Sequence, residues 1–180
     1  MNEILDIICK SAGQVTQNYF KLTTTYEPSG IVRERVFCYE LYHQLRLVLG
    51  NNHKLTLNGE IDKRGHRDFK EEDRKNPDFV FHIPGQHKGN TIIIEVKGKL
   101  DFDGIIKDFE TMTTFVSSYQ YQAGVFLLYN DTFNDLLSGL GNKFDKFINS
   151  KIADQLFVIT LPKAHTIEKI VCLKELQQTK

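Results

Sequence analysis

Apolar residues recur along this chain at two periods, and the alternation between them divides it into elements. Ile4, Ile8, Ala12 and Val15 keep helical spacing and predict a helix over about the first eighteen residues. Tyr26-Glu27-Pro28-Ser29-Gly30 interrupts it. Residues 31–49 carry a second helical stripe through Ile31, Cys38, Leu41, Leu45 and Val48, stopped by Gly50-Asn51-Asn52. The period then changes to two. Residues 54–61 set Leu55, Leu57, Gly59 and Ile61 on one side and predict a strand. Residues 62–76 hold both charge signs and almost nothing apolar, which predicts a long solvated loop. Two apolar runs follow, Phe79-Val80-Phe81 and Thr91-Ile92-Ile93-Ile94, joined by a glycine-containing turn over 84–90. Ile105, Phe109, Met112 and Val116 predict a helix over 103–116, and the unbroken run 124–129 predicts a buried strand. Asp131 is placed to cap a further helix bearing Phe133, Leu136, Leu137, Leu140, Phe144, Phe147 and Ile148. Residues 155–161 and 169–173 read as late strands.

The core order is therefore helix, three strands, helix, strand. The three strands can form a meander. The second helix then crosses over to a strand parallel to its predecessor, and such crossovers are right-handed. One α/β domain of mixed sheet and flanking helices accounts for all 180 residues: a core over about 31–130, a helical extension before it, and a helix and strands after it.

Charge enters at the ends of the two motif strands. Asp78 opens the first, and Glu95 and Lys97 close the second. In an antiparallel hairpin, Asp78 and Glu95 reach the same end of the sheet. Lys97, two residues after Glu95, points to the same face. Two carboxylates with a lysine beside them suit metal-assisted hydrolysis of a phosphodiester. The triplet alone carries little weight; its position at strand ends carries the argument.

That order, with Pro77-Asp78 and Glu95-Val96-Lys97 where they fall, resembles the PD-(D/E)xK nuclease superfamily, the restriction-endonuclease-like fold with an αβββαβ core. More narrowly, NPDFVFH, IIIEVKG, KDFETM and YQAGVFLLY resemble small bacterial members of it. The resemblance implies metal-dependent cleavage of nucleic acid, DNA foremost, in defence, restriction or repair. It implies that Asp78 and Glu95 hold Mg2+, with Mn2+ as a substitute. Lys97 would orient or help deprotonate the attacking water and offset developing charge. Glu34, at the start of the first core helix, would position metal or water, and Glu60 would be the acidic residue of the first strand. The alternative is a catalytically inactive binding or assembly subunit of the same fold.

Glu34 stands out in its own right, since it lies on the apolar stripe between Ile31 and Cys38. A carboxylate there is costly unless it is paired, hydrogen-bonded or metal-bound. Otherwise it is an acidic residue favoured by the helix dipole. Its competitor, Glu40, lies off the stripe. Glu60 follows Gly59 and reads either as a metal or nucleic-acid contact or as a solvated strand end. Lys63, Arg64 and Arg67 in the charged loop are candidate phosphate contacts, although five acidic residues share that loop. Gly98, with Lys99 beside it, would let a nucleic-acid backbone approach closely. His82 and His87 lack ligand spacing.

The formal net charge is zero, which weighs against avid nucleic-acid binding unless local asymmetry supplies a basic face. The three separated cysteines form neither a disulfide framework nor a zinc site. Without an apolar run of membrane length, the cytoplasm is the expected location. Nothing reads out base sequence. Double-strand cleavage would need two sites, which points to a homodimer or a recruiting partner by analogy with the fold.

Overall fold

The computed structural model describes residues 2–51, 53–60, 70–73, 75–85 and 89–178. One six-stranded mixed sheet organises them, with strands in sequence order: β1 (Thr56–Gly59), β2 (Phe79–His82), β3 (Asn90–Lys97), β4 (Ala123–Tyr129), β5 (Leu156–Leu161) and β6 (Lys169–Cys172). β1, β2 and β3 form an antiparallel meander; β3, β4 and β5 run parallel; β6 returns antiparallel. The expected meander and parallel crossover are both present.

Helices cover both faces. On one side lie α1 (Asn2–Ala12), α2 (Gln17–Phe20) and α3 (Glu34–Leu49), packed on Phe79, Phe81, Ile92, Ile94, Val96 and Tyr129. On the other lie α4 (Phe102–Ser118), α5 (Phe133–Leu140) and α6 (Asp145–Ile148), packed on Val80, Ile93, Phe126, Leu128 and Val158. Strand side chains alternate between these two cores, so the sheet is apolar on both faces and its central strands read as continuous runs. No helix among the described residues is long and apolar enough to cross a membrane.

Several boundaries differ from the sequence reading. The first helix ends at Ala12 and a short second one follows; Val15 is buried but lies beyond α1. α3 begins at Glu34 rather than Ile31, because Ile31 exchanges two backbone hydrogen bonds with Leu22, each 2.9 Å. Its buried row is Phe37, Leu41, Leu45 and Leu49, a strict four-residue repeat, so Cys38 and Val48 sit at the margin. Phe37 takes the core position because its ring stacks on Tyr129, 3.9 Å between centroids, with Phe20 edge-on to both. β1 stops at Gly59, and Glu60 turns the chain with a left-handed φ of 44°. Thr132, not Asp131, caps α5, its hydroxyl accepting the Asp135 N–H at 3.1 Å. The expected helix over 133–148 breaks at Gly141, whose φ of 48° ends α5.

Candidate functional site

Register brings the candidate carboxylates together. β2 pairs with β3 through Phe79↔Ile94 and Val80↔Ile93, and continuing that ladder one step sets Asp78 opposite Glu95. By alternation both lie on the α4 face with Val80 and Ile93, and Lys97 follows on the same face. The Val96 N–H donates to Asp78 Oδ2 at 2.7 Å, tying the Asp78 side chain to the adjacent strand. Burial pushes the Asp78 carboxyl up to about 6; the Val96 hydrogen bond works against that and the Glu34 charge adds to it. Glu95, 7% exposed, is held well above the ordinary carboxylate range by burial and then by the charges of Asp78 and Asp108.

Lys97 organises the remaining acids. Its Nζ lies 3.0 Å from Asp108 Oδ2 and 3.8 Å from Glu34 Oε1. Burial pulls the ammonium down, but Asp108 and Glu34 more than offset it, so the net shift is upward. Asp108 is itself raised to about 6, by burial against the opposing Lys97 charge. Its Oδ2 is sealed from solvent and meets the Lys97 ammonium at ion-pair distance. Four carboxylates (Glu34, Asp78, Glu95 and Asp108) thus surround one ammonium, a formal surplus of three negative charges.

Glu34 reaches the site from the opposite helical layer. Its Oε2 accepts the Gly98 N–H at 3.3 Å, so the first residue of α3 caps the end of β3. Its other carboxylate oxygen faces Lys97, which links it to the cluster. Among the described residues, no three His, Cys, Asp or Glu side chains converge as a protein-only ion site would require. Glu40 faces elsewhere, accepting a 2.7 Å hydrogen bond from Gln44. Glu60 pairs with Arg35 at 3.5 Å, and its N–H donates to the Asp78 carbonyl, so the end of β1 borders the site.

Gly98 has a packing reason for its missing side chain. A Cβ there would collide with the Tyr129 phenol and lie 2.6 Å from Val32 Cγ1. Lys99 is exposed in the turn that leads to α4. Lys63, Arg64, Arg67 and His87 fall outside the described residues. His82 bonds Asn58 Oδ1 at 2.7 Å across the sheet. Cys38 lies beneath the cluster, and burial first, then Asp78 and Glu34, push its thiol far up, leaving it protonated.

An open cleft of about 450 Å³ lies between α4 and the segment before β2. Glu95 and Asp108 line it together with Asp73, Lys75, Asn76 and Lys107. Tyr119, just past the end of α4, donates to Asp73 Oδ2 at 2.7 Å and accepts the Lys70 N–H at 3.1 Å, holding that segment against the helix.

Asp108 and Tyr119 are the residues that sequence reasoning missed. Asp108 carried a usable signal: it falls between Ile105 and Met112 on the edge of the α4 stripe, where a carboxylate needs a partner. Tyr119 carried none, because its partners are 46 and 49 residues distant in sequence. No family model matches the chain, and no curated protein or solved structure matches it.

Proposed function

We propose that this chain is a metal-dependent nuclease of restriction-endonuclease-like fold, acting on DNA in the cytoplasm. The observation that carries the reading is the opposition of Asp78 and Glu95 on one face, with Lys97 beside them. The donor set fits magnesium, which is commonly held by one or two carboxylates, the rest of its shell being water and substrate phosphate. The surplus negative charge favours a cation there, in competition with the protons that the raised carboxyls hold. Such an ion, when bound, would polarise a phosphoryl oxygen and acidify a water. Asp78 and Glu95 would hold it. Lys97, held by Asp108 and Glu34, would serve as a positive charge for the phosphoryl oxygens as negative charge builds. Glu34 aims that lysine rather than completing the ligand shell. Restriction, defence or repair would be the setting, with a dimer wherever both strands are cut.

The test is a calorimetric titration with Mn2+, alongside cleavage of single- and double-stranded DNA and RNA with Mg2+. Wild type should bind the ion and cleave. Asp78→Ala should lose both. Lys97→Ala should keep the affinity and lose most of the rate, since the lysine serves the transition state. Calcium should bind with little turnover.

One observation favours a second reading, a nuclease-fold binding subunit without activity. Lys97 already has two carboxylate partners, at 3.0 and 3.8 Å, as a purely structural ion pair would. Wild type that binds no Mn2+, or cleaves no better than Lys97→Ala, would make this the better account.

A further inference from the structure

The outer face of α3 carries a row of exposed cationic and aromatic side chains. At about 100° per residue, Arg35, Tyr39, His43 and Arg46 fall within an arc of about 80°. All four are exposed, Tyr39 at 66% and the Arg35 side chain at 69%. From Arg35 to Arg46 the row runs about 16 Å along the helix axis. It contains no acidic residue. Glu40, the nearest on the helix, lies outside the arc and is turned to Gln44. In a chain of zero net charge this is a local basic strip with an aromatic ring at its centre.

We infer that this face of α3 is a track for single-stranded nucleic acid, with the arginines on phosphates and Tyr39 under a base. Three observations select that occupant. Arginine alone would suit any polyanion, but an exposed tyrosine among cationic side chains provides a stacking platform. A duplex keeps its base faces covered, so only an unpaired strand can use that ring. The track also starts beside the acidic cluster: Arg35 pairs with Glu60, whose N–H donates to the Asp78 carbonyl. Arg35 shares its charge with Glu60 in an exposed pair, a contact weak enough for a phosphate to replace. Arg46 makes no ion pair among the described residues.

The track rests on the proposed nuclease only for where the strand leads, because binding here needs no metal. Fluorescence anisotropy of a labelled oligothymidylate in chelator and low salt therefore tests it apart from cleavage. Wild type should bind. Tyr39→Ala should weaken binding at least about fivefold, as loss of one stacked base does, and Tyr39→Phe should restore it. Arg46→Gln should lower the slope of log affinity against log salt by about 0.7, the share of one single-strand phosphate. These are surface positions, and circular dichroism will show each variant folded. Unchanged binding in both Tyr39→Ala and Arg46→Gln overturns the track, as does a preference of wild type for duplex or for polyglutamate, or no binding at all. Binding without cleavage keeps the track and removes the nuclease. Cleavage with variants that bind as wild type does the reverse.

Discussion

The two faces of β3 are built to different ends. Toward α1, α2 and α3, Ile92, Ile94 and Val96 are fully buried, and the apolar layer continues to the end of the strand. Toward α4, Ile93 is equally buried, but the next positions are Glu95 and Lys97. The backbone is the same and the environments are similar, so the difference lies in what was placed there. A buried carboxylate costs free energy that a valine would not. Three further acids beside it raise that cost, and one lysine offsets only part of it. Departures from local consistency of this kind gather where a protein binds or reacts. The apolar face supplies the stability that the charged face spends.

The contrast can be broken most severely from its apolar side. Phe37→Ala removes the ring stacked on Tyr129 and should destabilise the fold by about 3–5 kcal/mol in urea melts. If wild type binds Mn2+, the affinity of the remaining folded variant should equal it; a large loss would mean the two faces are not separate. Gly98→Ala acts at the boundary between them. The new methyl must displace both Tyr129 and Val32, costing about 1–3 kcal/mol. Stability equal to wild type would show that the phenol has room to move.

The charged side should respond with the opposite sign. Asp78 and Asp108 have carboxyls near 6 in the fold, against 3.8 for a free side chain. Between those values the native state holds protons that the unfolded chain has lost. Stability therefore falls as pH rises from about 4 to about 6 and stays lower above that. Asp78→Asn keeps an acceptor for the Val96 N–H and removes the charge. Its Tm should rise by roughly 2–4 °C near neutral pH, with little change at about pH 4. An equal gain at both pH values would sink the electrostatic explanation. The smallest effect is expected at the cleft. Tyr119→Phe loses the hydroxyl that bridges Asp73 and Lys70, worth about 0.5–1.5 kcal/mol. Hydrogen exchange at Lys70 should quicken without a shift in the exchange of β3.

Much of this contrast was legible in the chain. Alternation placed Ile93, Glu95 and Lys97 on one face, and the strand-end positions of Asp78 and Glu95 announced their meeting. Glu34 was legible because a carboxylate beside an apolar row demands a partner. Its actual partners, the Lys97 ammonium and the Gly98 amide, were not, since no local pattern encodes a contact 64 residues away. The same limit hid the lysine's closest contact, Asp108, which belongs to another element. Where the reading slipped locally, tertiary packing decided. Phe37 displaced Cys38 from the core row because Tyr129 offers a flat ring to stack on. Gly141 broke a helix whose hydrophobic spacing alone looked continuous.

The irregularity between Phe81 and His82 bears on how this hairpin can change over generations. Partners along this antiparallel ladder keep one constant sum of residue numbers, 173, from Phe79 to Phe81, and the sum drops by one at His82. That slack lies on the turn side, away from Asp78 and Glu95. A length change on that side would leave the ladder from Phe79 to Phe81, and with it the opposition of the two acids, in register. A single-residue deletion within Ile92–Ile94 has no such outlet. It would turn Glu95 and Lys97 into the apolar layer and Val96 toward the acids. The strand can change its letters but not its count.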